Sequence, residues 1–340
     1  MATTLSKTRV PITLLTFSVL LAVLSFAGNT SPFVIKERRL RRGPLLFVSP
    51  SQEQQGASSG EGNGDGEVAE QQLKVAVSST GEAGGVVAPF QKVSEMPPFL
   101  PTNLKNRYYL LRHGQSTANV AEIISSSRSL AYTSKHGLTD LGYQQGKQSA
   151  SHLLDALEST ACQPGDQVVF ISSPFARAYQ TSLACLDGLD ELDGRVKEMG
   201  LDISKDVVMN DNLVERYFGR LDGEAIYTYA YVWPLDKFDT THNAFEVESV
   251  AAVATRLKQL VDELEKEYEG CHLVWVSHAD VLQIAQLYGA AADNVGLFSS
   301  YRFKNGEVRP MLIGTQSHLP PPVPLEAPQR GTYEYTLLTQ

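Results

Sequence analysis

From about residue 101 onward, short β-forming runs alternate with amphipathic helical stretches, and this alternation constrains the fold more than any other feature of the chain. The strand-like runs are RYYLL (107–111), QVVFISS (167–173), VVM (207–209) and HLVWVS (272–277). Helical stretches separate them. Residues 139–158 open at Thr139-Asp140, and residues 249–269 place Val250, Val253, Leu257, Leu260, Val261 and Leu264 on one face. Strands interleaved with helices predict an α/β fold with a mostly parallel, helix-covered sheet. Asn305-Gly306, between the β-like arms of YRFKNGEVRPM, predicts a late hairpin. TYEYTLL (332–338) predicts a closing strand, and no internal repeat is visible.

The first hundred residues carry different signals. Residues 10–27, VPITLLTFSVLLAVLSFA, are uncharged and follow Lys7 and Arg9. That length is near the lower limit for a membrane span and above the usual signal-peptide core. Ser25-Phe26-Ala27 puts small residues where a signal peptidase needs them, and the following segment is rich in Arg with Glu37 as its one acid. We read residues 1–45 as a cleaved signal or targeting segment; the alternative is a membrane anchor through residues 10–27 with a basic cytoplasmic flank. Residues 46–100, rich in Gly, Ser, Gln and Glu, lack the apolar surface to offset ordering entropy and read as a disordered linker ending in the prolines of EMPPFLP. Residues 101–340 are the expected folded domain.

Charge and cysteines narrow the function. The chain has a formal charge of −9 over 340 residues, yet its first 45 hold seven bases against one acid. The remaining 295 residues therefore hold 22 bases and 37 acids. So acidic a body repels phosphate backbones, which argues against a nucleic-acid partner and requires any anionic ligand to sit in a local basic pocket. Cys162, Cys185 and Cys271 form no closed disulfide set and no CxxC, favouring a reducing compartment for the folded part and arguing against structural zinc. The one N-x-[ST] sequon, Asn29-Thr30-Ser31, falls outside that part.

In open α/β sheets ligands bind at the carboxyl ends of strands. Three strands end in polar clusters: Arg112-His113-Gly114, Ser172-Ser173-Pro174-Phe175-Ala176-Arg177, and Ser277-His278. Paired guanidiniums suit the non-bridging oxygens of a phosphoryl group. An imidazole among arginines keeps a lowered pKa and stays neutral and nucleophilic near pH 7. Gly114 is expected to allow a sharp turn that brings its N–H toward the same anion. His136, His152, His242, His272 and His318 fit no metal-ligand spacing and are expected on surfaces, with His242 of interest because its segment should overhang the pocket.

LLRHGQSTAN, GLTDLGYQQG, SSPFARAYQT, LVERYFGRLDGE and VWVSHADVLQI resemble, in this order, the motifs of the histidine phosphatase superfamily, the family of cofactor-dependent phosphoglycerate mutase. The resemblance covers roughly residues 105–340. It implies a three-layer α/β/α, phosphoglycerate mutase-like fold. It also implies that His113 attacks phosphorus, that Arg112, Arg177 and His278 bind the phosphoryl oxygens, and that Glu215 protonates the leaving oxygen and then activates water. Asn119 and Ser116 or Thr117 fall where the family lines its phosphate pocket. The resemblance implies no metal or other cofactor and a small phosphorylated substrate.

For Glu215 the competing role is an ion pair with Arg216 or Arg220. Ala279 stands where the family has Gly, and Asp280 is one place too far to match the Asp acid of a distant branch. ERYFG resembles the mutase form of its block, so a mutase is weighed, as is a silent phospho-ligand binder. After RLDG, however, only Lys237 and His242 are cationic, without the paired arginines a mutase uses to grip a second anionic group. The binder would have lost a nucleophile, arginine or acid, and none is lost. The sequence therefore predicts metal-independent phosphomonoester hydrolysis through a phosphohistidine, on a small, partly apolar metabolite.

Overall fold

The computed structural model describes residues 93–324. The uncharged segment 10–27, the basic stretch after it, the sequon, most of the Gly/Ser-rich linker and the strand expected at 332–338 lie outside the described residues. Among the described residues no helix is long and apolar enough to cross a membrane.

Among the described residues five strands form one sheet in the order β3-β2-β4-β1-β5. β1 (Arg107–Arg112), β2 (Gln167–Ser172), β3 (Asp202–Met209) and β4 (His272–Ser277) run parallel, and β5 (Val308–Pro310) joins β1 antiparallel. All six residues of β4 are buried, as are all but the first of β1 and of β2. Continuous apolar runs of this kind mark strands covered on both faces. Successive side chains separate accordingly. Tyr108, Leu110, Val169, Ile171, Leu273 and Trp275 pack with α6 (Val250–Glu267) and α7 (Ala279–Gly289). Tyr109, Leu111, Val168, Phe170, Val274 and Val276 pack on the other face with α2 (Asp140–Ser159) and α3 (Ala176–Glu191). The three-layer α/β/α arrangement expected from the resemblance is present.

Local chemistry sets the helix boundaries. The hydroxyl of Thr139 accepts from the Gly142 N–H at 3.1 Å, and that of Ser249 accepts from Ala252 N–H at 3.1 Å, so the expected starts of α2 and α6 hold. Among the described residues the remaining α-helices are a single turn, α1 (Thr117–Val120), and the short α4 (Asp193–Met199) and α5 (Trp233–Phe238). Two sequence expectations change. β3 extends well beyond VVM, because an edge strand is only half covered and tolerates Ser204, Lys205 and Asp206. The late hairpin does not form, although Asn305-Gly306 makes a turn with Gly306 at φ +71°. Phe303 gives its carbonyl to Arg112 Nη1–H at 2.8 Å rather than to a ladder, and Val308–Pro310 pair with β1 instead.

The topology fixes where a ligand can bind. Helices leaving β1 and β2 pack on one face, whereas α7, leaving the intervening β4, packs on the other. Neighbouring exits that diverge in this way open a crevice at the carboxyl edge of the sheet. The segment between β3 and α6 folds around a small cluster of Phe218, Leu221, Val232 and Val247 with Ile124, and supplies Ile226, Tyr229 and Trp233 to one wall of that crevice.

Candidate active site

The parallel register sets Arg112 opposite Ser277, so His113 and His278 emerge side by side, with ring centroids 5.2 Å apart. His113 is 3% exposed; its N–H donates to the Ser277 carbonyl at 3.0 Å, and its Nδ1 lies 2.7 Å from the Gly114 carbonyl. A carbonyl oxygen only accepts, so the ring proton belongs on Nδ1 and Nε2 keeps its lone pair. Burial, then the charges of Arg177 and Arg112, hold the His113 pKa well below the usual histidine value. The imidazole is neutral near pH 7.

Gly114 plays a different part from the one expected of it. Its backbone is not left-handed, and its N–H donates to Thr181 Oγ1 at 3.0 Å. What requires glycine is contact: a Cβ here would stand 2.1 Å from the Gly142 carbonyl oxygen at the start of α2. The glycine seats the histidine turn against a helix end.

Two arginines meet at this edge. Arg177, 3% exposed in the first turn of α3, donates from Nε to His278 Nδ1 (3.2 Å), from Nη1 to Ser125 Oγ (3.3 Å) and from Nη2 to the Ser125 carbonyl (2.8 Å). Because His278 Nδ1 accepts, its proton sits on Nε2 and donates to Ser173 Oγ at 2.8 Å. Arg112, 5% exposed, donates from Nη1 to Phe303, while its Nε has no partner among the described residues. Neither arginine has a carboxylate within ion-pair distance among those residues, and burial brings Arg177 down to about 10, still charged at pH 7. His278 is held well below the usual histidine range by burial and by Arg177.

Glu215 enters from the loop after β3. Its Oε1 accepts the Arg216 N–H at 2.9 Å and its Oε2 lies 3.8 Å from His278 Nδ1. The competing ion pairs do not form: Arg216 is bound by Asp236 at 2.7 and 2.8 Å, and Arg220 faces Glu246 at 3.6 Å. Burial, then the nearby Asp280 carboxylate, raise Glu215 to about 7. Asp280 itself is raised to about 6, chiefly by burial, and is held by Trp233 Nε1–H at 3.3 Å and Arg216 Nη1–H at 3.4 Å.

Arg112, His113, Ser116, Asn119, Arg177 and Glu215 line one cleft, which encloses about 650 Å³ counting its open mouth. His278 flanks it through His113 and Arg177. Ser116 and Asn119 also close a capping box on α1, with Ser116 N–H donating to Asn119 Oδ1 at 3.0 Å. Thr117 is exposed on α1 and is not part of the lining. His242 turns away from the cleft to meet Asp236 at 2.7 Å, and Lys237 is exposed. His272 is fully buried rather than on a surface, its ring bridging Tyr109 Oη and Asp166 at 2.9 Å each. Sequence reasoning missed Ser125, Gln283, Arg302 and Phe303, which also line the cleft. Gln283 lies one turn beyond Ala279 on α7, a signal that helical spacing from Ala279 could have supplied; Ser125 and Arg302 sit in irregular segments with no periodicity to read. No group of acidic, His and Cys side chains among the described residues is arranged to hold a metal ion.

The family model described as histidine phosphatase superfamily (branch 1) matches residues 108–309. No curated protein matches the chain. Solved structures similar to it include mycobacterial hydrolase 1, 21% identical over 59% of this chain and 89% of its own, with a TM-score of 0.43. A mycobacterial glucosyl-3-phosphoglycerate phosphatase in complex with VO3 is 20% identical over 59% of this chain and 88% of its own, at a TM-score of 0.43. A phosphoserine phosphatase mutant from Entamoeba histolytica, in complex with phosphoserine, is 20% identical over 60% of this chain and 88% of its own, at 0.42. With the family match spanning more than half of its length, the chain belongs to the histidine phosphatase superfamily, branch 1.

Proposed function

We propose that the protein hydrolyses small phosphate monoesters through a phosphohistidine on His113, without a metal. The observation that carries this reading is the fixed tautomer of His113, whose Nδ1–H is committed to the Gly114 carbonyl at 2.7 Å. In the first step the Nε2 lone pair attacks phosphorus, the N–P bond forms, and the ester P–O bond breaks. Glu215 gives its proton to the departing oxygen, which leaves as an alcohol. In the second step the Glu215 carboxylate takes a proton from water and the water oxygen attacks phosphorus. The N–P bond then breaks, inorganic phosphate leaves, and both side chains return to their starting states. A carboxyl group with a pKa of about 7 is present in both forms near neutrality, as the two half-reactions require.

Charge on the transferring group needs buried cations that no protein carboxylate already satisfies. Arg112 and Arg177 have no carboxylate within ion-pair distance among the described residues, and fixed donors in a dry site stabilise the transition state more than they do in water. Water is the favoured acceptor over a second substrate molecule, because Lys237 and His242 of the insert stay out of the lining. Arg302, which reaches the lining from beyond α7, joins the ERYFG block in favouring a mutase.

The test is phosphate release from an aryl phosphate by the full chain in EDTA, beside His113→Ala, with phosphoglycerates in parallel. Release that survives chelation and disappears in the variant is expected. Release abolished by EDTA, or retained by His113→Ala, overturns the mechanism, and isomerised phosphoglycerate identifies a mutase.

A further inference from the structure

Resting on that hydrolytic reading, we propose that His136 is a positioning residue which, through the hydroxyl of Ser125, holds the Arg177 guanidinium in the orientation that meets the phosphoryl oxygens. An arginine that binds an anion has to be oriented without being neutralised. A carboxylate partner orients a guanidinium through two charge-assisted bonds but also cancels its charge, as Asp236 does for Arg216. Among the described residues Arg177 donates to neutral groups instead. Its Nε donates to His278 at 3.2 Å, and both Nη atoms converge on one residue, Nη1 on the Ser125 hydroxyl at 3.3 Å and Nη2 on the Ser125 carbonyl at 2.8 Å. Each Nη keeps a second N–H for an anion. Ser125, which lines the cleft, therefore aims the forked end.

A serine in a connecting segment does not fix its own hydroxyl. The main chain just beyond it is clamped, because the Asp222 carboxylate accepts from the Ser126 and Ser127 N–H groups at 2.6 and 3.0 Å and from the Ser126 hydroxyl at 2.7 Å. The Ser125 side chain is set separately. Its Oγ accepts from Arg177, since a guanidinium nitrogen only donates, and lies 2.7 Å from His136 Nδ1. Either tautomer of the imidazole completes this arrangement. With Nδ1 bare the hydroxyl donates to it; with Nδ1 protonated the hydroxyl accepts on its second lone pair.

His136 reaches Ser125 in a conformation that few residues adopt. Its φ is +56°, in the left-handed region where Gly and Asn are at ease and other side chains are strained. The chain after it is pinned on two sides. The Gly137 carbonyl accepts the Thr117 N–H at 3.0 Å at the start of α1, and the Leu138 N–H donates to Gln180 Oε1 of α3 at 2.8 Å. Strain of this kind persists where the surroundings over-determine it, and such positions cluster around functional sites. Here it turns a histidine expected on the surface onto a residue of the cleft. The charged groups around the ring are Lys135, Arg177 and Asp222. Burial, then the two cations, hold the imidazole below the usual histidine range, so near pH 7 it steadies Ser125 without adding charge beside Arg177.

The full chain is assayed for kcat/KM on an aryl phosphate as wild type, His136→Gly and His136→Asn, and with Ser125→Ala alone and combined with each. Gly and Asn both accept a left-handed φ, so neither adds backbone strain, and Asn carries a polar atom near the place of Nδ1. His136→Gly should lower kcat/KM about tenfold, the order expected when a binding group is slightly misplaced, and His136→Asn should recover most of that loss. In the Ser125→Ala background His136→Gly should cost less than about twofold, because the contact it removes is already absent. Unchanged kcat/KM in His136→Gly overturns the proposal. An equal loss in the Gly and Asn variants, or a loss that adds in full to that of Ser125→Ala, assigns His136 a structural role and also overturns it. Ser125→Ala alone should cost at least as much as His136→Gly, and wild-type activity in it overturns the proposal even if His136→Gly does not fold. Should Ser125→Ala not fold, the Gly and Asn comparison decides. Indifferent variants of an active wild type refute only this role of His136, whereas no phosphate release by wild type refutes hydrolysis itself.

Discussion

Two clusters of buried arginine lie within one loop of each other and treat charge in opposite ways. Arg216 is 0% exposed and grips Asp236 with both ends of its guanidinium at 2.7 and 2.8 Å, while Arg256 does the same with Glu248 at 2.9 and 3.2 Å. Among the described residues, Arg112 and Arg177, also buried, donate only to carbonyl, hydroxyl and imidazole groups. The electrostatic consequence is opposite in sign. Burial brings Arg177 down to about 10, whereas Asp236 and Asp280 outweigh burial and push Arg216 above the ordinary arginine value. Arg216, paired with Asp236, holds the segment that carries Glu215, whereas Arg177 has no carboxylate within ion-pair distance among the described residues and feels Glu215 only at longer range. Adjacent residues of one segment, Glu215 and Arg216, are thereby assigned to different tasks.

The comparison can be broken at several points. The largest effect is expected at the proposed nucleophile: His113→Ala should lower kcat on an aryl phosphate by about 10⁴-fold or more, and wild type quenched during turnover should carry an acid-labile phosphoryl group that the variant lacks. A stable phosphoenzyme on another residue would reassign the chemistry. Glu215→Gln should lower kcat about 10²–10⁴-fold.

On the compensated side, Asp236→Ala leaves Arg216 buried with much of its countercharge gone and should cost about 3–5 kcal/mol in urea unfolding. Little change in the midpoint would mean that water or Asp280 takes over. Replacing both partners, Arg216→Met with Asp236→Leu, should recover much of that loss.

Smaller effects follow from pH. Formation of the phosphoenzyme needs protonated Glu215, so its rate in single-turnover experiments should fall as pH rises through about 7. The same shift bears on folding. Below about 4.5 Glu215 is protonated in both the folded and unfolded states; above it the unfolded chain releases the proton first, and the folded state loses stability as pH rises through 7. Glu215→Gln should therefore be more stable than wild type at pH 8, by on the order of 2 kcal/mol, and no more stable at pH 4. An equal difference at both values would exclude ionisation as the cause. His113 and His278, held low by burial, act in the other direction and should weaken the fold as pH falls below about 6.5.

Much of this was legible in the chain. β1 and β4 announced themselves as buried apolar runs, and the polar residues at their ends pointed to the edge where the cleft opens, because parallel strands deliver their exits to one side. Thr139 and Ser249 marked the starts of α2 and α6, since capping is decided within a few residues. Errors arose where a residue's surroundings come from distant segments. His272 reads like any polar residue at a strand start, yet Asp166 and Tyr109 close over it. YRFKNGEVRPM has hairpin chemistry, but its first arm is claimed by Arg112.

The sequence by itself determined the layer architecture, the strand ends to which the chemistry is proposed and the identity of the histidine and arginine cluster, because periodicity and local order are written in consecutive residues. Only the tertiary structure decided the charge state of each group. It gave Arg216 to Asp236, left Arg177 with no carboxylate in ion-pair distance among the described residues, set the tautomer of His113, freed Glu215 from ion pairs with Arg216 and Arg220, and brought Gln283 and Arg302 to the cleft. Protonation and pairing depend on burial and on contacts between residues far apart in the chain, and no local pattern encodes them.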